Sequence, residues 1–128
     1  MLQGIDHFAM GVRDLEEQVR HLTASQGWQL LRWGTQYSTG DRIALLVDPV
    51  TGLKLELIEN RSERPQLIHV AYRSDDVVAD HERLVSMGYR SLVKPHDLKA
   101  ARSVSALLED PAGLKVQLIC YAPDSPDR

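Results

Sequence analysis

The chain has 128 residues, 43% of them hydrophobic and 26% charged, with a formal net charge of −3. That length suits one globular domain with a real core and is too short for two independent ones. A mildly acidic chain with interspersed charges carries no electrostatic footprint for nucleic acid or an anionic membrane surface.

In chain order, residues 3–12 alternate as a strand does, with β-branched and aromatic residues among them. A helix follows: Asp14 with Glu17 has the form of a capping box, Leu15, Val19 and Leu22 recur at i, i+4, i+7, and Gly27 stands just beyond the end. Three further strands are predicted at 28–36, 41–48 and 53–59. The polar, proline-containing NRSERPQ (60–66) is a link. A second strand–helix pair then begins, with the strand at 66–73. Its helix carries Val77, His81, Leu84 and Val85 on one face and stops at Gly88. Strands at 90–94, 102–109 and 114–121 complete the chain, and APDSPDR (122–128) reads as a loose tail.

No apolar run approaches the roughly 18–20 residues that span a bilayer. The opening MLQGIDHFAMG lacks the form of a secretory signal. The single cysteine, Cys120, has no partner for an internal disulfide and is expected in the core at a strand end. A soluble cytoplasmic domain is expected.

The two halves repeat each other. IDHFAMGVRDL (5–15) lies over LIHVAYRSDDV (67–77), so that His7 falls on His69, Ala9 on Ala71 and Asp14 on Asp76. SQGWQLLRW (25–33) lies over SMGYRSLVK (86–94), and VDPVTGLKLELIE (47–59) over EDPAGLKVQLIC (109–120), which sets Glu56 on Gln117. The matches keep their order at a nearly constant offset, the signature of a duplicated unit. The expected fold is therefore α+β: two tandem βαβββ modules, repeat one over 1–60 and repeat two over 66–121. They would form a cup-shaped mixed sheet with the helices outside and act as a single domain.

Strand alternation predicts which polar residues share a face. In LKLELIE, Leu53, Leu55 and Leu57 oppose Lys54, Glu56 and Ile58; in LKVQLIC, Leu114, Val116 and Leu118 oppose Lys115, Gln117 and Ile119. Glu56 and Gln117 thus lie on the face away from the helices, and His7 and His69 take equivalent places in the first strand of each half. Two imidazoles and a carboxylate suit a divalent first-row metal, to which Gln117 can add a neutral amide oxygen. Arg73, on the strand face of His69, is a candidate for meeting an anionic substrate or a solvated strand-end residue. His96, Tyr72 and Tyr37 are acid–base candidates on position alone. His21 and His81 fall in the helices, outside the cup, and Trp28, Trp33 and Tyr89 read as core or interface.

Over residues 3–121 the sequence resembles the vicinal oxygen chelate superfamily of glyoxalase I, methylmalonyl-CoA epimerase, fosfomycin-resistance enzymes, extradiol dioxygenases and bleomycin-resistance proteins. The resemblance is carried by IDHFAMGVRDL, IHVAYRSDD and EDPAGLKVQLI. It implies a paired βαβββ fold around a metal (Zn, Ni, Co, Mn or Fe) held by His7, Glu56, His69 and position 117. Gln117 stands where glyoxalase I and the epimerases usually carry a glutamate that ligates and acts as base, and an amide accepts no proton at useful pH. Gly11 stands where glyoxalase I tends to have an arginine for glutathione. The reaction implied is proton abstraction beside a carbonyl by Glu56 or a metal-bound hydroxide through an enediolate, that is, an isomerase, epimerase or lyase, with Glu56 and Gln117 as its catalytic residues. Non-haem Fe(II) ring cleavage and sequestration of a small molecule such as an antibiotic are the alternatives. Members of this size are usually homodimers.

Overall fold

The structure is a computed structural model that describes residues 1–128. Its elements run β1 (Leu2–Val12), α1 (Leu15–Gln26), β2 (Gln29–Thr35), β3 (Arg42–Val47), β4 (Lys54–Glu59), β5 (Gln66–Ser74), α2 (Val77–Ser86), β6 (Arg90–Leu98), β7 (Ser103–Glu109) and β8 (Lys115–Tyr121). This is βαβββ twice, a mixed α+β fold. The compact units are His7–Ile68 and a second made of His69–Arg128 together with Met1–Asp6.

In the unit His7–Ile68 the strands lie in the order β2-β3-β4-β1. β1 and β4 are parallel, with Ala9 opposite Glu56, and β4 pairs antiparallel with β3, placing Leu45 opposite Glu56. The side chain of Asp14 accepts from the Glu17 backbone N–H at 3.1 Å and starts α1, while Gly27 at φ 77° ends it. Leu15, Val19 and Leu22 are buried as the i, i+4, i+7 pattern requires, against Val12, Ala44, Leu46 and Leu57. Leu46 and Leu57 are almost wholly enclosed, and burial of each such side chain stabilises the fold by about 1.5–3 kcal/mol. Ala9, Ile43 and Ile58 form a separate small cluster with Ile68.

In the other unit β5 and β8 are parallel, with Ala71 opposite Gln117, and the order continues through β7 to β6. β1, whose first residues belong to this unit, is the neighbour of β5. Val77 and Leu84 of α2 pack on Ala106, Leu108, Val116 and Leu118, with Cys120 and Tyr89 against the same cluster. The buried face of α2 differs from the expected one. Val85 is exposed and His81 half-buried, while Asp80 is buried between Val77 and Leu84. The carboxylate is tolerated there because the Ser74 hydroxyl donates to it at 2.6 Å and Arg83 approaches to 3.5 Å.

Two further expectations need correction. β6 does not stop at Lys94 but runs through Pro95 to Leu98, with register shifts between Ser91 and His96. Proline is admissible because β6 ends the strand order, where a missing N–H leaves no ladder bond unmade. The tail 122–128 is tied down rather than loose. The Ala122 N–H donates to the Arg102 carbonyl at 2.8 Å, Ser125 donates to the Ala101 carbonyl, Arg102 pairs with Asp124 at 2.7 Å, and Asp127 is buried.

Candidate metal centre and its polar surroundings

Each half places its polar residues by strand alternation. On β1, Met10 and Val12 turn toward α1, which leaves His7, Ala9 and Gly11 on the opposite face. Lys54, Glu56 and Ile58 take the same face of β4, since Leu55 and Leu57 pack on the α1 side. On β5 the α2 side takes Tyr72, so His69, Ala71 and Arg73 face away from it. On β8 Val116, Leu118 and Cys120 take the α2 side, so Gln117, Ile119 and Tyr121 face away.

His7 and His69 are both buried, at 3% and 5% exposure, and Glu56 is half-buried. The atoms by which His7, Glu56 and His69 can ligate all lie within 4.8 Å of one another. With bond lengths of about 2.0–2.2 Å, neighbouring donors on one ion stand roughly 3 Å apart and opposite donors roughly 4 Å. The spacing and the donor chemistry, two imidazoles and one carboxylate, therefore fit a divalent first-row ion. Of the four residues singled out in the sequence, these three are the ones brought into a ligand-sized cluster.

Gln117 sits on β8 opposite Ala71 of β5. Its amide Nε2 donates to the Ser105 hydroxyl at 2.8 Å, and its carbonyl Oε1 is buried without a hydrogen-bond partner. Ser105 and Ser103 share the β7 face away from α2, both buried, and the Ser103 hydroxyl also lacks a partner. Buried polar atoms of this kind are costly unless something meets them. Sequence reasoning passed over both serines, because a serine in a strand carries no spacing signal of its own.

Three other features escaped the sequence. Asp6 has a fully buried side chain and accepts from Arg73 Nε at 2.9 Å and from the Tyr121 hydroxyl at 2.5 Å. Arg73 also lies over the Tyr121 ring at 5.7 Å, so the arginine considered for an anionic substrate is engaged by Asp6. Burial, with the Asp6 and Asp127 carboxylates adding to it, pushes the Tyr121 phenol far above its usual range. Lys54 is buried at 4% exposure, opposite His7 in the β1–β4 register, whereas its counterpart Lys115 is exposed.

The remaining candidates scatter. His96 stands opposite Ser105 in the β6–β7 pair, on that residue's face, with Nδ1 2.8 Å from the Lys94 carbonyl. Tyr72 packs on the α2 side and Tyr37 is exposed. His21 is exposed on α1, and His81 is hydrogen-bonded to Ser91 at 2.7 Å. Trp28 packs on the α1 core, while Trp33 is half-exposed under the Arg42 guanidinium. At Gly11 an added Cβ would run into the Asn60 side chain, so the place where glutathione-dependent relatives carry an arginine is filled by Asn60.

A family model described as the Glyoxalase/Bleomycin resistance protein/Dioxygenase superfamily matches residues 4–118. The chain belongs to that superfamily. A comparison with curated proteins gave no match. Among solved structures it is similar to methylmalonyl-CoA epimerase from Mycobacterium tuberculosis, with 24% identity over 95% of this chain and 90% of that one and a TM-score of 0.83. It is also similar to a Streptomyces coelicolor methylmalonyl-CoA epimerase variant in complex with 2-nitronate-propionyl-CoA, with 25% identity, 95% and 99% coverage and a TM-score of 0.79. A third is a methylmalonyl-CoA epimerase in complex with methylmalonyl-CoA and NH4+, with 24% identity, 98% and 99% coverage and a TM-score of 0.80. No helix of the chain is long and apolar enough to cross a membrane.

Proposed function

We propose that the protein is a metal-dependent epimerase or isomerase that removes and returns a proton on the carbon beside a carbonyl. Its substrate would be a small molecule offering two oxygens to the ion. The observation that carries this reading is the convergence of the His7, Glu56 and His69 ligand atoms. The resemblance to structures of methylmalonyl-CoA epimerases makes an acyl-CoA with a 2-carboxyl group, methylmalonyl-CoA first, the substrate class to test. Such a thioester has a carbonyl and a carboxylate flanking one acidic carbon.

His7, Glu56, His69 and the Gln117 oxygen would hold the ion, and the net charge of about +1 left on that set supplies Lewis-acid polarisation of the substrate carbonyl. Glu56 is the one carboxylate of the four, and Gln117 cannot accept a proton, so proton removal falls to Glu56. The Lys94 carbonyl can only accept, so Nδ1 of His96 carries the hydrogen and Nε2 is its basic nitrogen. We assign His96 the return of the proton, a step for which Nε2 must carry a hydrogen as well. Homodimerisation completes the reading, on the family resemblance.

The test is loss of the substrate's α-proton signal in D2O, followed by NMR with methylmalonyl-CoA, after reconstitution with Co, Ni, Mn, Zn or Fe(II). Exchange that depends on metal and fails in Glu56→Gln supports the reading. Absence of metal uptake with every ion overturns it. Ligand-induced stabilisation without exchange would make the protein a binding member of the fold, and oxygen uptake with a catechol would make it a dioxygenase.

A further inference from the structure

We propose that Ser105 is a positioning residue that fixes the Gln117 amide so that its oxygen, rather than its nitrogen, is presented as the neutral fourth ligand. This inference rests on the metal-binding reading above and adds to it a residue for which neither the sequence pattern nor the ligand cluster calls.

An amide side chain has two chemically opposite ends, and only the carbonyl end can ligate a cation. A carboxylate has two equivalent oxygens and needs no such choice made for it. The chain's internal repeat provides the control. Glu56 faces Leu45 across β3–β4, and Gln117 faces Leu107 across β7–β8. One step diagonally along the partner strand on the same face, the first repeat has Ile43 and the second has Ser105. The half whose last strand carries the carboxylate therefore has an apolar neighbour there, buried with Ala9 and Ile58. The half whose last strand carries the amide has a hydroxyl.

That hydroxyl meets Gln117 Nε2 at 2.8 Å, and Ser105 is itself 2% exposed, so solvent does not compete for it. With the nitrogen engaged, the unsatisfied end is Oε1, buried and without a hydrogen-bond partner. Diagonal neighbours on a sheet lie about 7–8 Å apart, within reach of a glutamine side chain. Serine at this position thus does for an amide what a second oxygen does for a carboxylate.

The experiment is a cycle of four proteins: wild type, Ser105→Ala, Gln117→Glu and the double variant. Each is titrated with Co2+ against a competing chelator, with the visible spectrum of the bound ion and the melting temperature of the metal-free protein recorded alongside. Ser105→Ala should weaken Co2+ binding by roughly 10–100-fold, the usual cost of losing a partner that orients a ligand. It should also alter the visible spectrum and release the Gln117 side-chain amide resonances from their hydrogen-bonded shift in 15N NMR. In the Gln117→Glu background the same substitution should change affinity less than about threefold, because a carboxylate does not need orienting. An equal loss in both backgrounds, or a loss matched only by a lower melting temperature, would make Ser105 a packing residue and overturn the inference. Unchanged Co2+ binding in Ser105→Ala overturns it while leaving the metal-binding reading intact. Failure of the wild type to bind Co2+ overturns both.

Discussion

Glu56 and Gln117 occupy the same register in their respective halves: each stands opposite an alanine of the parallel strand beside it, Ala9 for Glu56 and Ala71 for Gln117. The two halves therefore carry a charged and a neutral residue at one equivalent strand position.

Exchanging these identities should move metal affinity in opposite directions. Gln117→Glu adds a second carboxylate and should tighten divalent-metal binding by tenfold or more, about 1.4 kcal/mol. It should also lower the site's capacity to polarise a substrate, because the net charge falls to about zero. Glu56→Gln should weaken binding and cut turnover by about 10²–10⁴-fold, the range for loss of a general base. Isothermal titration with Co2+ or Zn2+ and the α-proton exchange rate read the two effects separately.

Chelation should expose the same dependence in stability. A ligand that binds the folded chain at a hundred times its Kd adds about 2.7 kcal/mol. EDTA should therefore lower the melting temperature of the metal-loaded protein and leave His7→Ala and His69→Ala unmoved. Equal shifts in all three would mean that the ion binds elsewhere.

The Tyr121 phenol should resist ionisation. Burial and the carboxylates around it hold the proton in the folded state, whereas the unfolded phenol titrates near 10. Above that pH the unfolded chain releases a proton that the folded chain keeps, so this group's stabilisation is complete below about pH 10 and declines as pH rises, at up to about 1.4 kcal/mol per pH unit. An ultraviolet titration should show the Tyr121 phenol ionising only as the chain unfolds. In Tyr121→Phe the alkaline decline in stability should lessen.

Asp6 is the anchor of that cluster. Its carboxylate is wholly buried and relies on Arg73 and Tyr121. Arg73 is 42% exposed, so water screens part of the pair. Arg73→Met should cost about 1–2 kcal/mol, below the 3–5 typical of breaking a fully buried pair. Asp6→Asn should cost less than Asp6→Leu, which strands the Tyr121 hydroxyl. Urea unfolding at pH 7 measures both losses.

Much of the fold and the placing of the four candidate ligands at equivalent strand positions were legible because duplication writes its own alignment. His7 on His69 and Glu56 on Gln117 can be read from spacing, and the helix caps Asp14 and Asp76 from local chemistry. What could not be read depends on contacts distant in sequence. Lys54 and Lys115 are identical in pattern, yet one is buried and the other exposed. Asp80 replaces Val85 on the buried face of α2 because Ser74 and Arg83 meet its charge. Pro95 looks like a strand terminator until its edge position is known. Ser105 acquires meaning only through a register that no periodicity announces.

The division of β1 has a consequence for how such a chain can be taken apart. Residues 1–6 belong with the second repeat and residues 7–12 with the first, although one continuous strand carries both. The compact units and the repeats therefore differ at the start of the chain. A fragment cut at residue 66 would leave Asp6 behind, and with it the carboxylate that holds Arg73 and Tyr121.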